Sequence, residues 1–153
     1  MKKRVVSLIM TIAVLLSLNM TAFAAEYPED PDVAMWAVAR SSAYLDGYSV
    51  SIEARGNGEI AVAMTVDGKG VMEKIGVREV EIDHKVNGVW KYYDSLYASE
   101  HPEFYNYNSR DYVGTTYFQG TPGVSYRVTL TVYARNSNGS DTGYITSYTV
   151  VCR

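Results

Sequence analysis

One cysteine in 153 residues, Cys152, excludes an intrachain disulfide. The fold must therefore rest on its hydrophobic core rather than on covalent staples. Histidine is nearly as scarce: His84 and His101 are the only two, so a hydrolase built on a histidine base has just two places to find one. There is no Gly-x-Ser-x-Gly elbow and no glycine-rich phosphate loop, and no cofactor motif is present. No basic stripe exists to neutralise phosphates, and the net charge of −3 opposes nucleic acid as a partner.

The one long apolar run lies at the N-terminus. Lys2, Lys3 and Arg4 precede the uncharged stretch from Val5 to Leu18, and Thr21-Ala22-Phe23-Ala24 offers small residues at the Ala-x-Ala positions. The run is short for a membrane span and an acidic segment follows it, so residues 1–24 are expected to be a cleaved secretory signal. Cleavage after Ala24 removes three of the 14 basic residues and leaves 11 against 17 acidic ones, a net charge of −6. The expected product is secreted, extracellular and without a membrane span. Residues 25–43 form an acidic lead-in, Tyr27-Pro28-Glu29-Asp30-Pro31-Asp32, followed by an ambiguous segment around Trp36 that suits either a short helical turn or an edge strand.

From Tyr44 to the C-terminus the apolar residues recur with a period of two. Val50, Ile52 and Ala54 alternate with Ser49, Ser51 and Glu53, and Ile60, Val62, Met64 and Val66 follow the Gly56-Asn57-Gly58 turn. Asp67-Gly68-Lys69-Gly70 is expected to break that strand. Val80, Ile82, His84 and Val86 share one face against Glu79, Glu81, Asp83 and Lys85, and Asn87-Gly88 then predicts a type I′ hairpin returning through Val89 to Tyr93. Further strands are expected over Tyr112–Phe118, over Tyr126–Ala134 and over Tyr144–Val151. About seven strands with regular turns and no strong helix predict an all-β, antiparallel two-sheet sandwich over residues 44–153.

Gly123-Val124-Ser125-Tyr126 followed by Val128, Leu130 and Val132 resembles the start of strand F in immunoglobulin-like and fibronectin type III-like sandwiches. That resemblance implies a structural tyrosine corner at Tyr126. A second resemblance covers nearly the whole chain after the leader. Ser42-Ala43-Tyr44-Leu45-Asp46-Gly47-Tyr48, Gly56-Asn57-Gly58-Glu59-Ile60, Gly70-Val71-Met72-Glu73-Lys74-Ile75-Gly76, Tyr107-Asn108 and Tyr117-Phe118-Gln119-Gly120-Thr121-Pro122-Gly123 look like a family of short secreted Gram-positive bacterial proteins of unknown function. It implies a β-sandwich of the same kind and supplies no catalytic residue.

The remaining residues point to binding rather than catalysis. Glu79, Glu81 and Asp83 could support glycoside hydrolysis only across a cleft of defined width. Asn136, Asn138, Ser140 and Asp141 offer oxygens at alternating positions but only one charge among them, so a self-bonded turn is expected and no metal site. Seven of the 14 tyrosines fall between Tyr92 and Tyr117. Trp90, Tyr92, Tyr105 and Tyr107 are the candidate ligand-binding residues, with Tyr133 a further ring that could extend their platform and an extracellular protein or a polysaccharide the expected partner. The opposing expectation is that these rings cover the open ends of the sandwich.

Overall fold

The alternation of apolar and polar residues is satisfied by two antiparallel sheets whose inward faces meet. The computed structural model describes residues 37–40 and 42–153. The expected signal peptide, the acidic lead-in and Trp36 lie outside these residues. The chain divides into the units Met1–Asp30 and Pro31–Arg153, and the second holds everything described below.

Seven long strands carry the fold: β2 (Leu45–Gly56), β3 (Glu59–Met72), β4 (Lys74–Val86), β5 (Val89–Tyr97), β7 (Ser109–Gln119), β8 (Ser125–Asn136) and β9 (Gly139–Thr146). Three short ones complete them: β1 (Ala37–Arg40), β6 (Tyr105–Asn106) and β10 (Val150–Val151). The first sheet has the order β1-β2-β3-β7. In the second, β4 and β8 are central; β5 and β6 pair with β4, and β9 and β10 with β8. In immunoglobulin lettering β2-β3-β7 correspond to A-B-E and β9-β8-β4 to G-F-C, with β5 at the C′ position beside strand C. The ambiguous segment before Tyr44 resolves, where it is described, as the edge strand β1.

Between the sheets lie Val50 and Ile52 of β2, Ile60 to Val66 of β3, Val80 and Ile82 of β4, and Val128 to Val132 of β8, each at most 7% exposed on the inward side. At about 25 cal/mol per Å² of apolar surface, each of these side chains contributes roughly 1.5–3 kcal/mol relative to exposure. The two Asn-Gly hairpins take the backbone their sequence asks for: Asn57 and Asn87 have φ of 53° and 52°.

In β3, β4 and β5 the departures from the sequence expectation come from irregular pairing or bulges. A bulge inserts one unpaired residue and shifts the side-chain phase by one. β4 slips between Val77 and Glu79, so Ile75 and Val77 point inward although they are out of phase with Val80 and Ile82. The strand consequently begins at Lys74, not Glu79. β5 slips at Tyr93 and continues to Tyr97. β3 does not stop at Asp67 but runs to Met72 through an irregular stretch. The last strand starts at Gly139 and breaks after Thr146, because the Ser147 hydroxyl accepts the Val128 N–H at 3.0 Å in place of a backbone carbonyl.

One end of the sandwich is closed around Tyr126. Its side chain is fully buried, and its hydroxyl accepts the Thr121 N–H at 2.9 Å. Phe118 and Tyr93 pack edge-on against the ring at 5.5 Å and 5.3 Å between centroids. Gly120 is required beside it, since a Cβ there would lie 2.8 Å from a Tyr126 ring carbon. The Gly120 N–H donates to Gly58 O, the Gly58 N–H to Arg153 O, and the Cys152 N–H to Val124 O, all at 2.8–2.9 Å. Cys152 is buried inside this knot, and burial pushes its thiol pKa up. It is therefore a core residue and not a poised thiolate.

Two stability predictions follow from this core. Tyr126→Phe leaves the Thr121 N–H without its acceptor and should cost about 1–2 kcal/mol in urea unfolding. Tyr112 is buried, and that burial, aided by the Glu103 carboxylate, pushes its hydroxyl pKa up to about 12. Its folded pKa thus exceeds the unfolded value of about 10, so its stabilisation is complete below pH ~10 and is lost as pH rises toward 12. Tyr112→Phe should flatten the stability decline in that alkaline window, measured by denaturant titration at successive pH values.

Candidate binding face

The solvent side of the second sheet is lined with rings and cations. Residues that oppose one another in the ladder share a face, so the register assigns it directly. Trp90 opposes Lys85, Tyr92 opposes Asp83 and Tyr97 opposes Glu79 across β5 and β4. Tyr105 and Tyr133 both oppose Gly76, from β6 and β8, and Tyr144 of β9 opposes Thr131 of β8. Tyr92 and Tyr144 are the most open of the six, at 61% and 68% exposed.

Within this face the rings form two groups. At the first, the Arg127 guanidinium carbon lies 4.5 Å from the Trp90 ring centre and Lys85 Nζ 5.6 Å from it. Arg127 is fixed there by Asp83, whose Oδ2 accepts from its Nε at 3.0 Å and from its Nη2 at 2.9 Å. At the second, Lys74 Nζ sits 3.8 Å from the Tyr105 ring centre and 5.9 Å from that of Tyr107. Arg78 lies over Tyr133, which meets Tyr105 edge-on at 6.5 Å. Burial raises the Tyr105 pKa against the opposing effect of Arg78.

The four rings expected to bind ligand are thus divided. Tyr92 and Tyr105 oppose positions of β4 seven residues apart, which is about 20 Å along the strand. Trp90 and Tyr105 are half-buried with a cation on one ring face, whereas Tyr92 and Tyr107 are open at 61% and 63%. The segment His101–Tyr112 accordingly plays both parts. Phe104, on a 3-10 turn at Pro102–Phe104, and Tyr112 are buried in the core, while Tyr105 and Tyr107 flank Lys74 at the surface. Gly76 makes this docking possible, because a Cβ there would overlap the Phe104 carbonyl.

Tyr97 and Tyr144 join the face without having been singled out in the sequence. Tyr97 lies past the β5 bulge, beyond the point where alternation could be followed. Tyr144 is an outward residue on a strand whose start, Gly139, is turn-like in sequence. Only the pairing of β9 with β8 brings it here.

The other candidates are accounted for elsewhere. Glu79 accepts a hydrogen bond from Ser95 at 3.0 Å and Asp83 is committed to Arg127, so these carboxylates lie side by side on a sheet rather than across a cleft. Asp141 accepts from Ser42 Oγ and the Tyr44 N–H, which lower its pKa, and Asn136 accepts from the Asn138 N–H within the turn. His84 contacts the rings of Tyr93 and Tyr126. The His101 ring stacks on Phe104 at 4.9 Å, and its Nδ1 lies 2.9 Å from Glu103. An open groove of about 660 Å³ lies between Asp46, Asp67, Arg110 and Asp111, at the opposite end from Tyr126. Among the described residues no set of three or more His, Cys, Asp or Glu is grouped to hold a metal ion.

No family model and no curated protein matches the chain. If the Arg127 guanidinium covers Trp90 as described, Arg127→Ala in a Trp36→Phe background should increase acrylamide quenching of Trp90 fluorescence. The same change should cost about 1 kcal/mol of stability, through the lost contact with the ring and with Asp83.

Proposed function

We propose that the chain is an exported, non-catalytic binding module that contacts a protein partner through the outer face of the β5-β4-β8-β9 sheet. One observation carries this reading: six aromatic side chains on one sheet face are interleaved with Arg78, Arg127, Lys74 and Lys85. Tyrosine, tryptophan and arginine are the residues that dominate binding energy at protein interfaces. Export is supported by the basic, apolar and small-residue order of residues 1–24. A polymer of sugars is the second reading, favoured by the open rings of Tyr92 and Tyr107. It is the weaker one because Trp90 and Tyr105 already carry cations and the two open rings lie far apart. The resemblance to secreted Gram-positive proteins of unknown function is consistent with either and assigns neither.

Cross-linking the purified protein at the surface of its own cells should capture a defined protein. Trp90→Ala and Tyr92→Ala should each weaken that capture by about tenfold or more, while Val38→Ala on the first sheet should not. Retardation in polysaccharide affinity gels that is lost in Tyr92→Ala or Tyr107→Ala would assign the face to glycans instead. Turnover of a substrate by the protein, abolished by Glu79→Gln or Glu81→Gln, would overturn the non-catalytic reading.

A further inference from the structure

The two sheets end in exposed edges, and among the described residues all but one are interrupted. β5 is bulged at Tyr93 and carries Lys91 and Asp94. β9 stops at Thr146 and resumes only as the two-residue β10, and β1 is four residues long. Short strands, bulges and charges are the ordinary means by which a sheet edge is kept from pairing with another chain. From Tyr112 to Gln119, β7, the far edge of the first sheet, has none of them; its charges, Arg110 and Asp111, and its one irregular pairing lie at the start of the strand. Its ladder with β3 runs without irregularity from Asp111 opposite Asp67 to Gln119 opposite Glu59. The stretch Tyr112-Val113-Gly114-Thr115-Thr116-Tyr117-Phe118-Gln119 holds no charge and no proline.

The backbone direction at this edge is fixed by one bond. The Gly120 N–H donates to Gly58 O, in phase with the β3 ladder. Even-numbered residues of β7 therefore turn their N–H and C=O toward β3, and odd-numbered ones turn theirs outward. At each end an outward carbonyl is already occupied: Asp111 O accepts from Asn106 Nδ2 and Gln119 O from the Tyr93 hydroxyl, both at 3.0 Å. Between them Val113, Thr115 and Tyr117 present their backbone groups to the open side. Their side chains lie on the outer face, with Val113 71% and Tyr117 52% exposed.

We propose that β7 pairs antiparallel with β7 of a second copy about a two-fold axis through Thr115, making the first sheet continuous across a dimer. The strand is its own complement at that centre. Val113 faces the partner's Tyr117 twice over, and Thr115 faces the partner's Thr115. These are the aromatic-to-β-branched and threonine-to-threonine pairs that favour antiparallel strands. All three outward residues of each copy are then hydrogen-bonded, each opposed pair exchanging two N–H···O=C bonds. The flanking position sets Asp111 against the partner's Gln119, so no carboxylate meets its like. The contact uses the same strand on both copies and closes at two chains. It leaves the outer face of the second sheet free, so it stands independently of the binding function proposed above.

The test is sedimentation velocity on protein expressed from the full-length sequence, over a wide concentration range. The expected result is a shift from one chain to two. Thr115→Pro deletes only an outward N–H, which an edge strand tolerates. It removes two bonds from the dimer and should raise its dissociation constant by about thirtyfold. Thr115→Lys, which sets two ammonium groups face to face, should act in the same direction, and both should keep the wild-type far-UV spectrum. Thr115→Cys should form a disulfide-linked dimer under mild oxidant, because the paired Cα atoms would be about 5.5 Å apart. Val113→Cys should not, since its copies would be about 13 Å apart along the strands. Buried Cys152 does not compete. A chain that stays single at every concentration, assembles beyond two, or cross-links equally through both cysteines overturns the proposal. A monomer that instead takes up an added extended peptide at this edge overturns it in favour of another protein's strand.

Discussion

A tyrosine can be buried completely only if its hydroxyl finds a partner there, and Tyr126 finds it in the Thr121 N–H. The rest of the fold's closed end depends on that bond. It folds the β7–β8 connection back over the ring, which places Gly120 against the ring and its N–H on Gly58. The β2–β3 turn is in turn tied to the C-terminal Arg153, and β10 is drawn in until Cys152 fills the remaining space. A single neutral hydrogen bond is worth about 1 kcal/mol. Its influence comes from geometry, because it pins the connection that crosses from β7 in the first sheet to β8 in the second.

The second sheet shows a different economy. Its inner face is a continuous apolar layer, whereas on its outer face rings and cations are paired with each other. Arg127 is held between Asp83 and Trp90, and Lys74 between Tyr105 and Tyr107. Such side chains lose less freedom on binding than free ones would, which suits a contact surface. The same arrangement argues against ring-on-sugar stacking at Trp90 and Tyr105. The face that resembles a row of aromatic platforms in the sequence is in three dimensions a mixed surface with two centres.

Most of the fold was legible before any coordinates. Regular alternation over Ile60–Val66 and Tyr126–Ala134 marks the inward residues, and Asn87-Gly88 marks its hairpin, because both signals are local. The candidate face was legible only in part. Trp90 and Tyr92 lie ahead of the β5 bulge, so their outward direction follows from the hairpin. Tyr97 lies behind it, and Ile75 and Val77 lie ahead of the β4 bulge, where the period-two pattern is out of phase. A bulge leaves no reliable mark in sequence, so the bounds of β3, β4 and β5 do not follow from alternation.

Composition and periodicity by themselves determined that this is a disulfide-free β-sandwich with an excess of tyrosine, since each of those properties depends on neighbours in the chain. Only the tertiary structure decided which tyrosines became core, which became surface and which edge was left open. Phe104 and Tyr112 went inward while Tyr105 and Tyr107 stayed out, although all four sit within one short connection. That choice rests on whether the core between the sheets or solvent lies on the far side of each ring. Strand order is a non-local property set by how two apolar faces pack, and a one-dimensional pattern carries no record of it.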